Sequence, residues 1–331
     1  MAAALLTLLV SVPLLAQAPR VGIIDFYGVR TLSEARLRQA LAIREGDPLP
    51  KSKGDTESAI ELVPGVVHAR LQAACCEDGK AVLYVGIEEK GALHYTYRLP
   101  PTGEVRLPEP IHEAYARFLT AAGAAARTGE TGEDLTSGHS LMHNAACREI
   151  QQEFVTLAAA HQSKLREVLR TSEDEEHRAI AAYVLGYAKR KREVVDDLQY
   201  ALQDPDDTVR NNAMRALGAI TVLSLKGGEE DLKVEPTWLV EMLNSLVWAD
   251  RHAAAVTLVT TTESRNAGVL ALLRERSLAA LVEMARWKHL PHSLPSFILL
   301  GRLGGLAEKE IQDAWSRLDR DGVIRKAERK P

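Results

Sequence analysis

The sequence is poor in aromatic residues, which make up 5% of its 331 positions, although 46% of the residues are hydrophobic. Alanine and leucine supply much of the apolar content in the second half of the chain. Small side chains permit close contacts between helices and fill a β-sandwich core poorly, so the composition favours a helical protein. A chain of this length has room for two or three domains, each with its own core.

An excess of basic residues is also missing, because the formal net charge is −4. A general nucleic-acid-binding protein would carry a basic surplus over one face, so that class is excluded and no nucleic-acid partner is predicted. The one basic run inside a domain, Lys189–Arg192, directly follows an apolar helical pattern. Cations at that place complement a helix C-terminus, and we interpret the run as a helix end.

Cysteine is scarce, with three residues in the chain. An odd count does not support a disulfide scaffold. Cys147 could pair with Cys75 or Cys76 in an oxidising compartment, or the two neighbours could bridge each other. The third interpretation is that all three are small buried apolar residues.

No charged side chain precedes Arg20, and residues 2–16 are mostly Ala, Leu and Val. The run ends in Ala16-Gln17-Ala18, a pattern suited to signal peptidase. It is short for a membrane span, and no later run is apolar for long enough. We therefore expect a signal peptide over residues 1–18, export to the periplasm or cell envelope, and no transmembrane span in the mature chain. An uncleaved N-terminal anchor is the alternative.

A catalytic motif is absent, and the nearest approach is the stretch TSGHSLMHNAAC at residues 136–147. Gly138-His139-Ser140 begins like a serine nucleophile elbow, but Met142 stands where that motif has Gly, and a polar loop precedes it. We predict that the protein is not an enzyme, that it has no catalytic residue and that it needs no cofactor.

The same stretch raises a metal hypothesis, because His139, His143 and Cys147 are spaced four residues apart. They would share one helical face if the helix were continuous, and His112 or Glu113 could add a ligand. No HExxH motif or paired Cys spacing supports this, so no metal site is predicted and a metal-dependent protein is the alternative. The preferred interpretation is structural, with Thr136 or Ser137 capping a helix that contains these residues.

Residues 20–90 predict a strand, two helices and two more strands. The apolar run RVGIIDFYGVR is a strand, amphipathic patterns follow, and two alternating strands flank a turn at residues 77–80. With the segments GVRTL, REGD, LVPGVVHARL and LYVGIEEK, this order resembles the POTRA (polypeptide-transport-associated) domain. The resemblance implies an open sheet edge that binds client polypeptides by strand addition in outer-membrane assembly or secretion. No β-barrel pattern follows, so an outer-membrane pore is not expected.

From about residue 160 the sequence repeats. Asp174 and Arg178 recur 32 residues later as Asp206 and Arg210, and Arg251 occupies the same slot in a looser copy. Asp before Val-Arg, followed by small residues at helical spacing, resembles HEAT repeats, which stack pairs of helices into a solenoid. We expect four to five units, with Asp as helix cap and Ala and Gly at close helix contacts.

Solenoids present an extended face, usually to other proteins, and Trp238, Trp287 and Trp315 are candidate partner-binding residues on that face. Trp248 has similar placement, and core packing is the alternative for each Trp. The predicted fold is an α+β POTRA-like domain followed by an all-α solenoid. Its divisions are residues 1–18 (signal peptide), 19–90 (POTRA-like domain), 91–137 (connecting segment with one helix) and 138–331 (solenoid). The predicted function is an exported protein–protein interaction adaptor or scaffold, which binds polypeptides through a sheet edge and a solenoid face. A purely structural solenoid is the other alternative.

Overall fold

The computed structural model describes residues 19–227 and 232–329. The predicted signal peptide, residues 1–18, lies outside these ranges. From residue 19 the elements follow in the order that the sequence predicts: strand, helix, helix, strand, strand. They are β1 (Val21–Tyr27), α1 (Glu34–Leu41), α2 (Lys53–Glu61), β2 (Val66–Glu77) and β3 (Lys80–Glu89).

The three strands form one mixed sheet in the order β1-β3-β2. β3 is parallel to β1 and antiparallel to β2. The β2–β3 turn contains Asp78 and Gly79, both with positive φ, a conformation that Gly adopts freely and Asp tolerates. Because β3 is central, β1 and β2 are the two edges.

One face of this sheet packs against α1 and α2. The core between them is apolar and includes Ile24, Leu37, Leu41, Ile60 and Val85. Complete burial of each such side chain stabilises the fold by about 1.5–3 kcal/mol. The N-terminal region therefore has a core of its own.

The opposite face of the sheet packs against the helical part of the chain. Tyr27 and Tyr84 are buried in one cluster with Trp287. The Tyr27 hydroxyl donates to the Leu246 carbonyl at 2.7 Å. At Gly86 a Cβ atom would lie 2.4 Å from that same carbonyl oxygen, so glycine permits the close approach. The sheet is docked on the helices, not merely tethered to them.

A segment without regular secondary structure, residues 90–108, links the sheet to the helices. Its Arg98 N–H donates to the Gln203 carbonyl and its Gly103 N–H to the Thr171 carbonyl, both at 2.8 Å. Along the chain, the segment therefore contacts the residues around position 203 before it contacts those around position 171.

One long helix and a short hairpin complete the predicted connecting segment and enter the helical region. These are α3 (Glu109–Thr128), β4 (Glu133–Asp134) and β5 (Leu141–Met142).

Within the described ranges, the remaining helices form five successive pairs, and the second helices of these pairs contact one another in series. This arrangement is consistent with a solenoid. The pairs are α4 (Ala145–Thr171) with α5 (Glu175–Leu185), α6 (Val195–Ala201) with α7 (Asp207–Leu225), α8 (Thr237–Met242) with α9 (Trp248–Thr261), α10 (Ala267–Ala285) with α11 (Leu290–Leu303), and α12 (Glu308–Ser316) with α13 (Arg320–Glu328).

The repeated Asp residues are helix caps. Asp174 accepts hydrogen bonds from the first turn of α5, and Asp206 accepts one from the Val209 N–H of α7 at 2.9 Å. Such caps stabilise a helix by about 0.5–2 kcal/mol.

The repeated Arg residues connect neighbouring pairs. Each guanidinium donates to one or two carbonyl groups before its own helix and to a carboxylate farther along the chain. The ion pairs are Arg178 with Asp204 (2.8 Å), Arg210 with Asp250 (2.9 Å) and Arg251 with Glu283 (3.3 Å).

None of the helices in residues 19–227 and 232–329 has the length and apolar character needed to cross a bilayer.

Candidate functional site

The stretch around His139 and His143 is a loop and a short strand, not the helix that the metal hypothesis requires. β5 pairs with β4 in this stretch, and α4 begins after it, at Ala145. Asn144 is the cap, because its side chain accepts from the Cys147 N–H at 3.2 Å. The prediction of a cap at Thr136 or Ser137 is therefore wrong.

His139 and Ser140 stabilise this hairpin. The His139 ring lies tilted against the Tyr187 ring, with 5.3 Å between ring centroids. Burial, and then the positive charge of Lys191, lowers the His139 pKa to about 4. The Ser140 hydroxyl donates to the Glu133 carboxylate at 2.8 Å, so it is engaged in the packing of the loop.

The metal candidates are not brought together. Among residues 19–227 and 232–329, no group of three or more His, Cys, Asp or Glu side chains is arranged to hold a metal ion. Cys147 is a buried free thiol. His112 lies beside α5, 3.5 Å from the Glu176 carboxylate, and Glu113 is exposed.

The other two cysteines bridge each other. Cys75 and Cys76 form a disulfide near the end of β2, and both are exposed. This arrangement corresponds to one of the three alternatives that the sequence left open. It excludes pairing with Cys147.

The three candidate Trp residues have different surroundings. Trp238 is 36% exposed at the start of α8, with its ring edge towards Tyr95. Trp315 is half-buried against Phe297. Trp287 is 2% exposed between the helices and the N-terminal sheet, so it is not accessible to a partner while the sheet is docked.

A cluster of aromatic and histidine side chains fills the contact between sheet and helices. Tyr84 of β3 stacks on Trp248 at 4.7 Å between ring centroids, and its hydroxyl lies 2.7 Å from His292 Nδ1. His252 and His289 flank His292, at 5.1 Å and 3.9 Å between centroids.

Burial is the main cause that lowers the pKa of His252 and of His292, each to about 4. Both imidazoles are therefore neutral near pH 7. The His289 ring lies 3.2 Å from the Glu77 carboxylate of β2, which adds a polar contact between the two domains. The sequence contains these histidines at scattered positions, and no local pattern indicates that they meet.

An open cleft runs along this contact. Its larger end, here named the α10 chamber, has a volume of about 630 Å³ and lies between Val29 and Arg30 of the β1–α1 loop and the exposed side of α10, including Val282. Its smaller end, here named the β2 chamber, has a volume of about 390 Å³ and is lined by His68, Arg70, residues 94–97 and the loop before α9.

A small pocket of about 20 Å³, here named the passage, lies between the two chambers. Arg30, Leu93 and Asn244 line the passage and the α10 chamber, while Glu88, His94 and Leu246 line the passage and the β2 chamber. The two chambers and the passage are therefore neighbouring pockets along the same contact, and the three together are called the cleft. Leu93 is 62% exposed beside it.

Ion pairs line the cleft with little surplus of one charge. Glu283 lies 3.0 Å from Arg30 and 3.3 Å from Arg251, and it also accepts the Gly28 N–H at 3.2 Å. Arg274 instead donates to the Ala327 and Leu303 carbonyls, near the ends of α13 and α11. These contacts hold the walls of the cleft in place, and of its apolar side chains Leu93 is exposed and Val282 is half-buried.

The outer edge of β2 is partly closed by α2. The Glu61 carboxylate accepts the Ala69 N–H at 3.0 Å, and the Glu57 carboxylate accepts the Leu71 N–H at 2.7 Å. Two donors that an added strand would use are therefore occupied. The acidic pattern of α2 is visible in the sequence, but its contact with the edge is not.

A family model of HEAT repeats matches residues 163–259. These residues extend from the second half of α4 to α9 and include the Asp and Arg positions of the repeats. No curated protein is a significant match to the chain. The similarity to HEAT repeats indicates a helical scaffold for protein interactions.

Proposed function

We propose that the protein is a non-enzymatic adaptor, which binds segments of other polypeptides in the cleft between its N-terminal sheet and its helices. The cleft itself is the observation that carries this proposal. It is concave and lies at the contact between two domains. Its lining combines apolar side chains with charged groups that ion pairs hold in place, as binding sites commonly do. HEAT-like repeats usually serve as interaction scaffolds, which supports the same function.

The N-terminal domain fits this role as a POTRA-like module. Its strand and helix order is the order on which the resemblance rests. Glu57 and Glu61, however, accept two N–H groups of the β2 edge. Fewer backbone groups of that edge are therefore available for the predicted strand addition. The proposal therefore places the partner in the cleft, with Trp238 as an accessible aromatic residue of the helical part.

We further propose that the adaptor is exported and acts in the periplasm or cell envelope, with an outer-membrane assembly component as its partner. The apolar residues 2–16 and the Ala16-Gln17-Ala18 pattern support a cleaved signal peptide. The exposed disulfide between Cys75 and Cys76 supports an oxidising compartment.

Site-specific photocrosslinking tests the proposal. A photoreactive phenylalanine analogue replaces Leu93 in the cleft, and the control replaces Leu119, which is 54% exposed on α3. We expect crosslinked envelope polypeptides from the Leu93 variant in cells and none of the same species from the Leu119 variant. Mass spectrometry of the purified chain should show a mature N-terminus near Pro19.

Equal crosslinking at both positions would contradict binding in the cleft. An intact N-terminus together with cytoplasmic partners alone would contradict export. Bound metal in the purified protein would favour the metal-dependent alternative.

A further inference from the structure

Residues Leu93–Tyr97 of the connecting segment, here named the strip, border the cleft. Their backbone groups take no part in the hydrogen bonds of the described fold. In the described parts of the chain, the N–H and carbonyl groups of these five residues have no hydrogen-bond partner. The flanking residues are fixed, because Ala92 donates to the Glu89 carbonyl at 3.0 Å and Arg98 to the Gln203 carbonyl at 2.8 Å. The strip therefore has unpaired backbone groups, while hydrogen bonds of the residues on either side hold both of its ends in place.

From His94 to Tyr97 the side chains of the strip alternate as those of a β-strand do, while Leu93 is exposed in the cleft. Tyr95 is buried and Tyr97 is half-buried, whereas His94 and Thr96 are exposed. Alternation with a period of two is the pattern of an extended chain that has one packed face.

Two hydroxyl groups hold the packed face in place. The Tyr95 hydroxyl donates to the Leu202 carbonyl at 3.0 Å, and the Tyr97 hydroxyl lies 2.8 Å from the Ser245 hydroxyl. The Arg210 guanidinium lies over the Tyr97 ring, 4.2 Å from its centroid. The entropy of ordering this strip is therefore already lost before any partner arrives, which favours binding.

Tyr95 is the one buried residue of the strip, and its backbone N–H and carbonyl groups make no hydrogen bond to the described residues. Tyr95 is only 5% exposed, and backbone groups of buried residues are nearly always paired in native proteins. The adjoining β2 chamber, of about 390 Å³, falls within the usual volume range of ligand-binding pockets. Its opposite wall is formed by His68, Arg70 and Glu88 of the sheet.

We infer that Leu93–Tyr97 is a strand-addition site, which receives an extended segment of another polypeptide in the β2 chamber. Backbone hydrogen bonds supply the affinity, and the groups of the sheet wall select the side chains. The occupant has an extended backbone with free N–H groups at alternate residues. The inference rests on the proposed function and specifies its binding mode.

The test begins with peptides selected from a displayed library of random dodecapeptides on the immobilised full chain. Enriched peptides are resynthesised with a fluorophore, and each backbone nitrogen is methylated in turn. We expect that methylation at alternate positions weakens binding at least tenfold, while methylation between them changes the Kd less than threefold. A uniform or irregular response would overturn strand addition.

Proline variants of the protein test the same backbone hydrogen bonds by removing an N–H group of the strip instead of one of the peptide. In an extended chain the N–H groups of Leu93 and Thr96 point to opposite sides, because the residues are an odd number of positions apart. We therefore expect at least a tenfold loss of affinity from one of Leu93→Pro and Thr96→Pro, but not from both. Leu93→Ala and Thr96→Ala, which keep the N–H, are the matched controls, and thermal melting verifies that each variant folds.

The outcomes separate the inference from the proposed function. If no peptide is enriched, both fail. If peptides bind but methylation and both proline variants leave the Kd unchanged, strand addition alone fails. Self-association of the wild type that a proline variant abolishes would identify a second copy as the occupant and overturn a foreign segment.

Discussion

Arg210 illustrates how single residues stabilise the helical stack. Its guanidinium is 1% exposed and binds Asp250 of a later helix as well as the Asp204 and Pro205 carbonyls. The Ser245 hydroxyl donates a further hydrogen bond to Asp250 at 2.7 Å. A buried ion pair of this kind tolerates the loss of both charges better than the loss of one.

Arg210→Met should lower the free energy of unfolding by about 3–5 kcal/mol, because it leaves the Asp250 carboxylate buried without its counterion. Urea denaturation of the full chain measures the loss. The double variant Arg210→Met/Asp250→Leu should recover most of it. Equal instability of the single and double variants would show that the charge imbalance is not the cause.

At the scale of elements, α2 protects an edge of the sheet. Its Glu57 and Glu61 carboxylates accept N–H groups of β2 that would otherwise be available to another strand. An unprotected strand edge promotes association between chains. The helix therefore both covers the core and limits pairing at this edge.

Glu57→Ala/Glu61→Ala should promote self-association that increases with protein concentration, because it frees the Ala69 and Leu71 N–H groups. Sedimentation velocity should detect the dimer or larger species. The matched control is Glu57→Gln/Glu61→Gln, which keeps an acceptor oxygen at each position and should stay monomeric. Identical sedimentation of the two variants would contradict protection by these acceptors.

The sequence predicts those elements that depend on residues close to one another in the chain. Asp174 and Asp206 cap helices within three residues of themselves, and the amphipathic spacing of α1 requires no knowledge of distant residues. Trp287 shows what local patterns cannot predict. Its position in the repeats indicates an exposed solenoid face, but in the structure it packs against Tyr84 of the distant sheet.

The cleft could not be predicted for the same reason. Its walls come from the β1–α1 loop, the connecting segment and α10, which are far apart in the chain. The alternation in HYTY at residues 94–97 is the one local sign of an extended strip. Nothing in the sequence alone places it beside the sheet.

For the whole molecule, the contact between sheet and helices depends on close backbone approach. Gly86→Ala should weaken docking, because its Cβ would lie 2.4 Å from the Leu246 carbonyl oxygen and 2.6 Å from the Tyr27 hydroxyl. We expect red-shifted Trp emission and stronger acrylamide quenching as Trp287 becomes exposed. Gly54→Ala, at a position with open space around the added Cβ, is the control and should leave the emission unchanged.

Docking should also depend on pH. The pKa values of His252 and His292 are lowered to about 4 in the folded protein, against an ordinary value of about 6.5. The stabilisation that the neutral rings contribute is therefore complete above pH 6.5 and is lost as the pH falls towards 4. Protonation would place positive charge next to His289, Trp248 and Tyr84 in the contact.

Trp emission followed from pH 7 to pH 4 should shift to the red as docking weakens. The control is His252→Gln/His292→Gln, which removes both titrating rings and should flatten the profile over this range. Superimposable profiles for the wild type and the variant would exclude the two histidines as the cause.

The connecting segment, which meets later helices before earlier ones, has a consequence for biosynthesis. The docking face of the sheet is translated early, but 208 residues separate Tyr84 from His292, with which it pairs. At about 5–20 residues per second, the ribosome needs roughly 10–40 s to make that distance. During this interval the nascent sheet exposes an aromatic face that a chaperone would recognise, so the synthesis of α9 to α11 decides when this face is covered.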